Sequence, residues 1–396
     1  MQLLLHIFGW ILAIPLSLIL LYLAFELYMG LARSHQREAT PFPQKPTAAI
    51  LVPAHNEAIG IAATVEALRA LAPAFRILVV ADNCTDSTAE LARSAGADAI
   101  VRSDAERRGK GFALAFGRDY LAKDPPDVVI VIDADCRLSA GSAECLVARA
   151  LQSGSPVQSV NLLVTATDAS PLVRISNFAM LIKNLVRARG LSRIGGGALL
   201  FGTGMAFPWK MFASLELATS HAVEDLDLAL SLSGKGVRIV FEENALVTSP
   251  AATVTDSKSQ RSRWEHGFLG AALRRGVPLI LAGIRARSLH LLAIGAHMMV
   301  PPLAMLMIAS LGAIGLLLSL SYFSSANGPL LLLASCLTIA SIALLAAWWA
   351  EGRGVIGIKS LLMVPLYVLW KIPIYVGFFT SRQTAWNRTH REGEHP

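Results

Sequence analysis

The sequence predicts an α/β domain with a mostly parallel, doubly wound sheet, set between apolar segments that are long enough to cross a membrane. Four short apolar runs alternate with helical patterns at spacings of roughly 25–30 residues, which is typical of strand–helix–strand units. Of the 396 residues, 54% are hydrophobic and only 16% are charged, whereas soluble domains carry about 25% charged residues. Because this deficit lies in residues 1–30 and 289–380, the chain between them has an ordinary soluble composition.

The first apolar segment predicts a transmembrane helix over residues 3–30, interrupted only by His6 and Glu26. It is too long for the core of a signal peptide, and no small-residue cleavage site follows it. Basic residues follow this segment and none precedes it. The positive-inside rule therefore places the amino terminus outside and residues 31–288 in the cytoplasm.

The carboxy-terminal region predicts two to three further membrane segments. Residues 289–320 and 329–350 are apolar, and Pro301-Pro302 should break the first of them. Residues 358–380 are also apolar but contain Lys371 and Pro373, so a full span and a re-entrant or interfacial segment are both open. A full span would put the basic tail outside, whereas the charge rule favours a cytoplasmic tail.

These patterns divide the chain into six parts. They are a transmembrane helix at 1–30, a linker at 31–46, an α/β domain at 47–270, an amphipathic interfacial segment at 271–288, a transmembrane region at 289–380 and a basic tail at 381–396. We expect a multi-pass protein of the inner (plasma) membrane with its α/β domain in the cytoplasm. Its net charge of +7 suits the lipid bilayer and phosphates, and no nucleic-acid partner is expected.

Polar motifs follow the predicted strands at 48–52, 76–80 and 128–132. Ligands bind at the carboxyl ends of such strands. After the first strand and Pro53, the ring of His55 can stack on a base, and Glu57 lies at a helix start whose dipole tolerates a carboxylate. After the second strand, Asp82 can accept the imide N–H of uracil. Helix capping and turn formation are the alternative roles of these residues.

The next two motifs suit a diphosphate. Lys110 lies in the glycine-flanked turn R-R-G-K-G before a helix, where cations and free backbone N–H groups favour phosphates, although a solvated basic turn is the alternative. Asp133 and Asp135 follow the fourth strand. Two carboxylates at such a position can hold Mg²⁺, which would bridge the phosphates of a donor and offset charge on the leaving group.

The remaining motifs suit an acceptor and the chemistry. Gly202 and Thr203 lie in a G-T-G sequence that allows close approach to an acceptor sugar, or forms a plain turn. Glu224 and Asp225 open a helix, and Asp225 is the expected general base, with a helix-dipole partner as the alternative. In the sequence Q-R-S-R-W, Gln260 and Arg263 can supply polar groups for the donor diphosphate, and Trp264 can supply an aromatic face for a sugar. The alternative is a basic helix at the bilayer surface.

In their order, these motifs resemble glycosyltransferase family 2, and within it the membrane-integrated β-glycosyltransferases such as cellulose, hyaluronan, chitin-oligosaccharide and poly-N-acetylglucosamine synthases. The match lies in the D, D-x-D, E-D and Q-x-x-R-W pattern over about residues 47–270. The resemblance implies a GT-A fold, a UDP-sugar donor, Mg²⁺ or Mn²⁺, and inversion to a β-linkage. It also implies uridine binding at the first two strand ends, metal binding at Asp135, Asp225 as the base and Trp264 in the acceptor platform.

The sequence therefore predicts an inverting membrane glycosyltransferase that makes exopolysaccharide or another cell-surface glycan, with possible export or polymerisation partners. The runner-up is transfer of one sugar to a membrane lipid, such as a polyprenyl-phosphate-linked glycan or a ceramide-like glycolipid. There is no gating loop like that of cellulose synthase after the apolar segments, which leaves processivity and export open. A non-catalytic partner of a secretion complex, or a nucleotidyltransferase, fits the intact motifs less well.

Overall fold

The computed structural model describes residues 2–32, 46–164, 169–221, 223–250, 254–324 and 327–380, without the side chains of 254–260, 323, 324 and 379. Most of the predicted linker and the whole predicted tail lie outside these residues. The contacts group the chain into two compact units. Among the described residues, the sheet unit comprises 46–164, 197–221, 223–250 and 254–267, and the helical unit comprises 2–32, 169–196, 268–324 and 327–380.

The sheet unit is built on a mixed, mostly parallel sheet, which confirms the predicted fold class. Its eight strands have the order β3-β2-β1-β4-β7-β6-β8-β5. Strands β1 to β4 pair in parallel around β1, whereas β7 runs antiparallel to both β4 and β6. The strands are β1 Ala48–Ala54, β2 Arg76–Asp82, β3 Asp98–Arg102, β4 Val128–Val131, β5 Arg137–Leu138, β6 Val157–Val164, β7 Met205–Pro208 and β8 Val240–Pro250.

The central strands are buried on both faces, as parallel strands between helices must be. The side chains of Ile50, Leu51 and Val52 in β1 are fully buried, and so are those of β4. Helices cover the two faces and return the chain from each strand to the next. They are α2 Ile61–Leu71, α3 Thr88–Ser94, α4 Lys110–Leu121, α5 Ser142–Ser153, α8 Trp209–Ala213, α9 Glu224–Gly234 and the first part of α10 Val254–Ala286.

The helical unit contains the apolar helices. They are α1 Gln2–Leu31, the rest of α10, α11 Leu289–Met299, α12 Leu303–Ser324, α13 Gly328–Ala347, α14 Ile358–Leu361 and α15 Val364–Thr380. A π-helical segment, Trp348–Gly352, extends α13. The chain leaves the helical conformation between α11 and α12 at Pro301-Pro302, where the sequence predicts a break.

Four helices among the described residues are long and apolar enough to cross a membrane: Gln2–Leu31, Arg261–Ala286, Leu303–Tyr322 and Gly328–Gly352. The sequence instead assigns residues 271–288 to an interfacial segment, although the long helix α10 includes them up to Ala286. The break at Pro301-Pro302 leaves α11 too short to span on its own.

A segment within the predicted α/β domain contributes to the helical unit. Residues 168–196 are grouped with the apolar helices, and they form α6 Pro171–Leu181, a π-helical segment Ile182–Arg187 and α7 Ala188–Arg193. Sequence periodicity does not distinguish this segment from the rest of the α/β domain, because the residues of α1 that it contacts are more than a hundred positions away along the chain. Two glycines permit the contact with α1: a Cβ on Gly30 would lie 2.0 Å from the Val186 carbonyl oxygen, and one on Gly190 would lie 2.0 Å from the Glu26 carbonyl oxygen.

This close backbone approach predicts that Gly30→Ala destabilises the helical unit by about 1–3 kcal/mol, the usual cost of overpacking. Gly312→Ala is the matched control, because Gly312 lies in α12 with open space around its Cβ position. The control should be neutral or slightly stabilising, since alanine favours a helix over glycine by about 1 kcal/mol. Thermal unfolding of both purified variants would measure this, and equal midpoints would contradict the packing.

Candidate active site

The loops after β1 and β2 are joined by hydrogen bonds at the carboxyl edge of the sheet. The ring Nδ1 of His55 lies 2.7 Å from the carbonyl oxygen of Asp82, and the Glu57 N–H donates to Thr88 Oγ1 over 2.8 Å. Asn56 adopts a left-handed φ of 53°, which asparagine tolerates better than most residues, and this turns the chain before α2. The helix therefore starts at Ile61, later than the sequence predicts.

The loop geometry brings together His55, Glu57 and Asp82, the residues predicted to bind the nucleoside. Pro53 belongs to the same edge, as the last-but-one residue of β1, in register with Val80 of β2. Asp86 accepts the Thr88 N–H over 3.0 Å at the start of α3. The role of the four predicted residues in binding a base stays a prediction.

Arg102, at the end of β3, holds the Asp82 carboxylate in place. Its Nη1 lies 2.6 Å from Asp82 Oδ1 and its Nη2 lies 3.0 Å from Asp104 Oδ2. The guanidinium also lies over the ring of Phe112 in α4, 5.4 Å from the centroid. Arg102 is not among the site residues predicted from the sequence, although a cation at the end of a third parallel strand is a usable signal.

Lys110 lies at the centre of the candidate site. Its Nζ forms an ion pair with Asp133 Oδ1 and donates to the carbonyl oxygen of Gly202 over 2.7 Å. The glycine that follows it is required by packing, since a Cβ on Gly111 would lie 2.3 Å from the Leu217 carbonyl oxygen. The R-R-G-K-G turn therefore brings the predicted phosphate-binding lysine directly against the predicted metal-binding motif.

The D-A-D turn after β4 presents two carboxylates at the sheet edge. One donor atom from each of Asp133, Asp135 and Cys136 lies within 4.8 Å of the others. Burial raises the pKa of the Cys136 thiol well above its usual value, and its Sγ lies 3.1 Å from Ser249 Oγ. A protonated thiol is a poor ligand for a hard cation, so the two carboxylates are the groups that suit Mg²⁺ or Mn²⁺.

The G-T-G segment lies directly behind this turn. Thr203 is buried, and its Oγ1 accepts the Asp133 N–H over 3.1 Å. Gln158, which is fully buried in β6, donates to the Thr203 carbonyl oxygen over 2.9 Å and accepts the Phe201 N–H over 2.9 Å. These contacts position the D-A-D turn, whereas the predicted acceptor contacts of Gly202 and Thr203 stay predictions. Gln158 is not among the site residues predicted from the sequence. The feature that could have indicated it is a polar amide side chain within an apolar, buried strand.

Glu224 and Asp225 form the first turn of α9 beside Lys110. Asp225 Oδ1 accepts the Leu226 N–H over 2.8 Å, and a Cβ on Gly202 would lie 3.3 Å from Asp225 Oδ2. Burial, and then the charge of Asp225, raise the pKa of Glu224 to about 7. Burial likewise raises the pKa of Asp133, although Lys110 opposes the shift. Burial opposes the charge of Lys110, but the surrounding carboxylates outweigh it and raise its pKa.

The Q-R-S-R-W sequence lies in α10 and approaches the same cluster. The Arg263 guanidinium interacts with the charges of Glu224 and Asp225. A Cβ on Gly267 would lie 2.4 Å from Val223 Cγ1, so α10 packs directly against the residue before α9. Trp264 is half-buried, and the side chain of Gln260 lies outside the described residues. Residues far apart in sequence are thus assembled around Lys110 at the carboxyl edge of the sheet.

Two profiles of known protein families match the chain. The profile described as glycosyl transferase family 2 matches residues 49–203, and the profile described as glycosyl transferase family group 2 matches residues 128–351. No curated protein matches the chain significantly.

Two solved structures are similar to this chain. A mannosyltransferase from Pyrobaculum calidifontis, in complex with GDP-Man and Mn²⁺, is 17% identical with a TM-score of 0.54, over 87% of this chain and 97% of that one. A glucosyl-3-phosphoglycerate synthase from Mycobacterium tuberculosis, in complex with Mn²⁺, UDP and phosphoglyceric acid, is 20% identical with a TM-score of 0.38, over 56% of this chain and 78% of that one.

The first of these likenesses confirms the predicted GT-A-like fold of the sheet unit. The second family match extends over more than half of the 396 residues and includes the D-A-D turn, the E-D pair and Q-R-S-R-W. On this match, the chain belongs to glycosyl transferase family group 2 and its sheet unit is a glycosyltransferase domain.

Proposed function

We propose that this protein is an inverting, multi-pass membrane glycosyltransferase that uses a UDP-sugar to form β-linkages in an exopolysaccharide or another cell-surface glycan. The observation that carries the proposal is the convergence on Lys110 of the predicted metal-binding carboxylates and the predicted base. Lys110 forms an ion pair with Asp133, and its charge also interacts with Glu224 and Asp225. Four apolar helices support the membrane part of the proposal.

In the proposed reaction the nucleoside binds at the ends of β1 and β2. Asp82 accepts the imide N–H of uracil while Arg102 fixes the orientation of its carboxylate. Since guanine also presents a ring N–H, and the mannosyltransferase of similar fold was solved with GDP-Man, a guanine nucleotide is the natural comparison in a donor screen. His55, Glu57 and Pro53 complete this pocket.

The diphosphate of the donor would lie over the D-A-D turn, where Asp135 and Asp133 can hold Mg²⁺ or Mn²⁺. The residues suit such an ion, because two carboxylates meet there and carboxylate oxygen is the ligand that both ions prefer. When bound, the cation offsets the negative charge that develops on the leaving diphosphate. Lys110 and Arg263 add fixed positive charge at the same place, and Gln260 is proposed to assist them.

Asp225 is the proposed catalytic base. It would accept the proton of the acceptor hydroxyl while that oxygen attacks the anomeric carbon and the bond to the diphosphate breaks. Attack from the face opposite the leaving group inverts the anomeric centre. Its neighbour Glu224, whose pKa is raised to about 7 by burial and by the charge of Asp225, is partly protonated near neutral pH and is the second candidate. Trp264 is proposed to stack on the acceptor sugar, next to Gly202 and Thr203.

Transfer of a single sugar to a membrane lipid is the second candidate. The four helices that are long and apolar enough to cross a membrane suit a lipid acceptor as well as they suit a growing glycan. The two candidates share every group in the sheet unit. Product length separates them, since one yields a polymer and the other a lipid with one added sugar.

Release of nucleotide from sugar donors tests the proposed donor and metal. Membranes containing the protein should release nucleotide from at least one UDP-sugar, with less or no release from GDP-mannose, and only with Mg²⁺ or Mn²⁺ present. Asp135→Ala should reduce this release by more than the roughly 10–100-fold that loss of an outer-shell metal partner costs. The matched control is Asp119→Ala, an exposed aspartate of α4, which should behave as wild type. Release that needs no divalent cation, or an unaffected Asp135→Ala, would refute the metal assignment.

Substitution of Asp225 tests its proposed role as the catalytic base. Asp225→Asn should keep the fold and donor affinity but lower turnover about 10²–10⁴-fold, the usual cost of a lost general base. If Asp225 only stabilises the helix dipole, its loss costs about 0.3–1 kcal/mol of stability and leaves turnover intact. Both turnover and thermal stability must therefore be measured.

Asp227→Asn is the control for this variant, because Asp227 lies in the same helical turn but pairs with His221 over 2.9 Å. It should change turnover little. Trp264→Ala should raise the acceptor KM and leave donor binding nearly intact. Near-normal turnover of Asp225→Asn with a lowered melting temperature would eliminate Asp225 as the base.

A further inference from the structure

Three charged or polar side chains meet in the interior of the helical unit, where the proposed chemistry has no use for them. Glu26 of α1 is fully buried, and its Oε2 accepts from Arg187 Nε over 2.5 Å. Its other oxygen, Oε1, lies 2.5 Å from His297 Nδ1 of α11. Arg187 Nη2 is in turn 3.4 Å from the His297 carbonyl oxygen. We call Glu26, Arg187 and His297 the ion triad.

The triad is a closed arrangement and not an open ligand site. Both carboxylate oxygens of Glu26 accept from within it, and all three side chains are at most 6% exposed. Charged groups among apolar helices are costly unless they pair with each other. The energetic reason to keep such groups is therefore the geometry that they impose on the helices carrying them, since well-packed apolar residues would stabilise at least as much.

The backbones around the triad are in close contact. Gly190 and Gly30 admit the carbonyl groups of Glu26 and Val186, as small residues do where apolar helices cross closely. Two more arginines of the segment bind the end of α1: Arg189 Nη1 donates to the Gly30 carbonyl oxygen over 2.9 Å, and Arg193 Nη1 donates to that of Met29 over 2.7 Å. The segment is thus fixed to α1 by charge and by close packing together.

A π-helical segment leads into this contact. Arg187 and Arg189 both bind α1, one at Glu26 and the other at Gly30. The π-helical segment Ile182–Arg187 ends at the first of these arginines, and such segments are frequent at functional sites.

We propose that the ion triad clamps residues 171–193 to α1 and α11, and that Glu26, Arg187 and His297 are positioning residues for sugar transfer, an inference that rests on the proposed function. The connection to the reaction is the chain itself. Arg193 is only nine positions before Gly202, whose carbonyl oxygen accepts from Lys110 and whose neighbour Thr203 holds the D-A-D turn. A shift of the clamped segment is carried along this short connection, and small displacements of catalytic groups reduce rates steeply.

The test is a double-mutant cycle in the full-length protein. Glu26→Gln and Arg187→Met each leave one buried charge without its partner, whereas the double variant removes both charges. Each single variant should lower kcat of the folded protein by about tenfold or more, at an unchanged donor KM. The double variant should lose about as much as one single variant and not the product of the two losses, because either substitution alone already breaks the clamp. Arg353→Met is the matched control, since Arg353 lies exposed against Trp349 of the same unit.

A second readout needs no activity. Cleavage of segment 171–193 by added protease should increase in each single variant, and in the double variant by about as much as in one single variant. If the single variants do not fold, Glu26→Asp and Arg187→Lys replace them, with the same expected loss of kcat. Wild-type kcat in folded single variants, or losses that simply add in the double variant, would overturn the positioning role.

The two readouts also separate this inference from the proposed function. If the wild-type protein transfers no sugar, the proposed function fails, and the protease cycle still decides whether the clamp exists. Independent protease effects of the two substitutions would overturn the clamp even in an active enzyme.

Discussion

The partly buried ion pair between Lys110 and Asp133 is the interaction on which the candidate active site depends. Four carboxylates are brought to one sheet edge by the D-A-D turn and the E-D pair. Two like charges 4 Å apart repel by about 4 kcal/mol at an effective dielectric constant of 20. The Lys110 ammonium reduces this repulsion in the folded protein. In the proposed reaction, the same charge would also lie beside the diphosphate of the donor.

The residues around Lys110 are arranged so that its ammonium lies beside the carboxylates. The next residue, Gly111, lets the start of α4 approach the backbone of residues 217–219. Gly202, with a left-handed φ of 83°, turns its carbonyl oxygen towards the ammonium. Gln158 and Thr203 then tie that turn to Asp133 through buried hydrogen bonds. The position of the Asp133 carboxylate therefore depends on the hydrogen bonds of the buried Gln158 and Thr203.

Local patterns in the sequence predicted the acidic and basic groups at the strand ends and helix starts, because apolar runs and turn residues report strand boundaries directly. They predicted neither Arg102 beside Asp82 nor Gln158 behind Thr203, since these partners are about 20 and 45 residues apart and meet only when the sheet forms. The same limit explains why residues 168–196 were assigned to the α/β domain. Glu26 was visible only as an interruption of an apolar helix, because its partners Arg187 and His297 lie 161 and 271 positions away.

The central claim is that the sheet edge around Lys110 binds a nucleotide and a divalent cation for sugar transfer. Its most direct test is a structure of the full-length protein with UDP and Mn²⁺, in which the anomalous signal of manganese locates the ion. The account predicts the ion at the carboxylates of Asp133 and Asp135, the diphosphate beside Lys110 and the uracil beside Asp82. An ion bound elsewhere, or a nucleotide away from the ends of β1, β2 and β4, would contradict it.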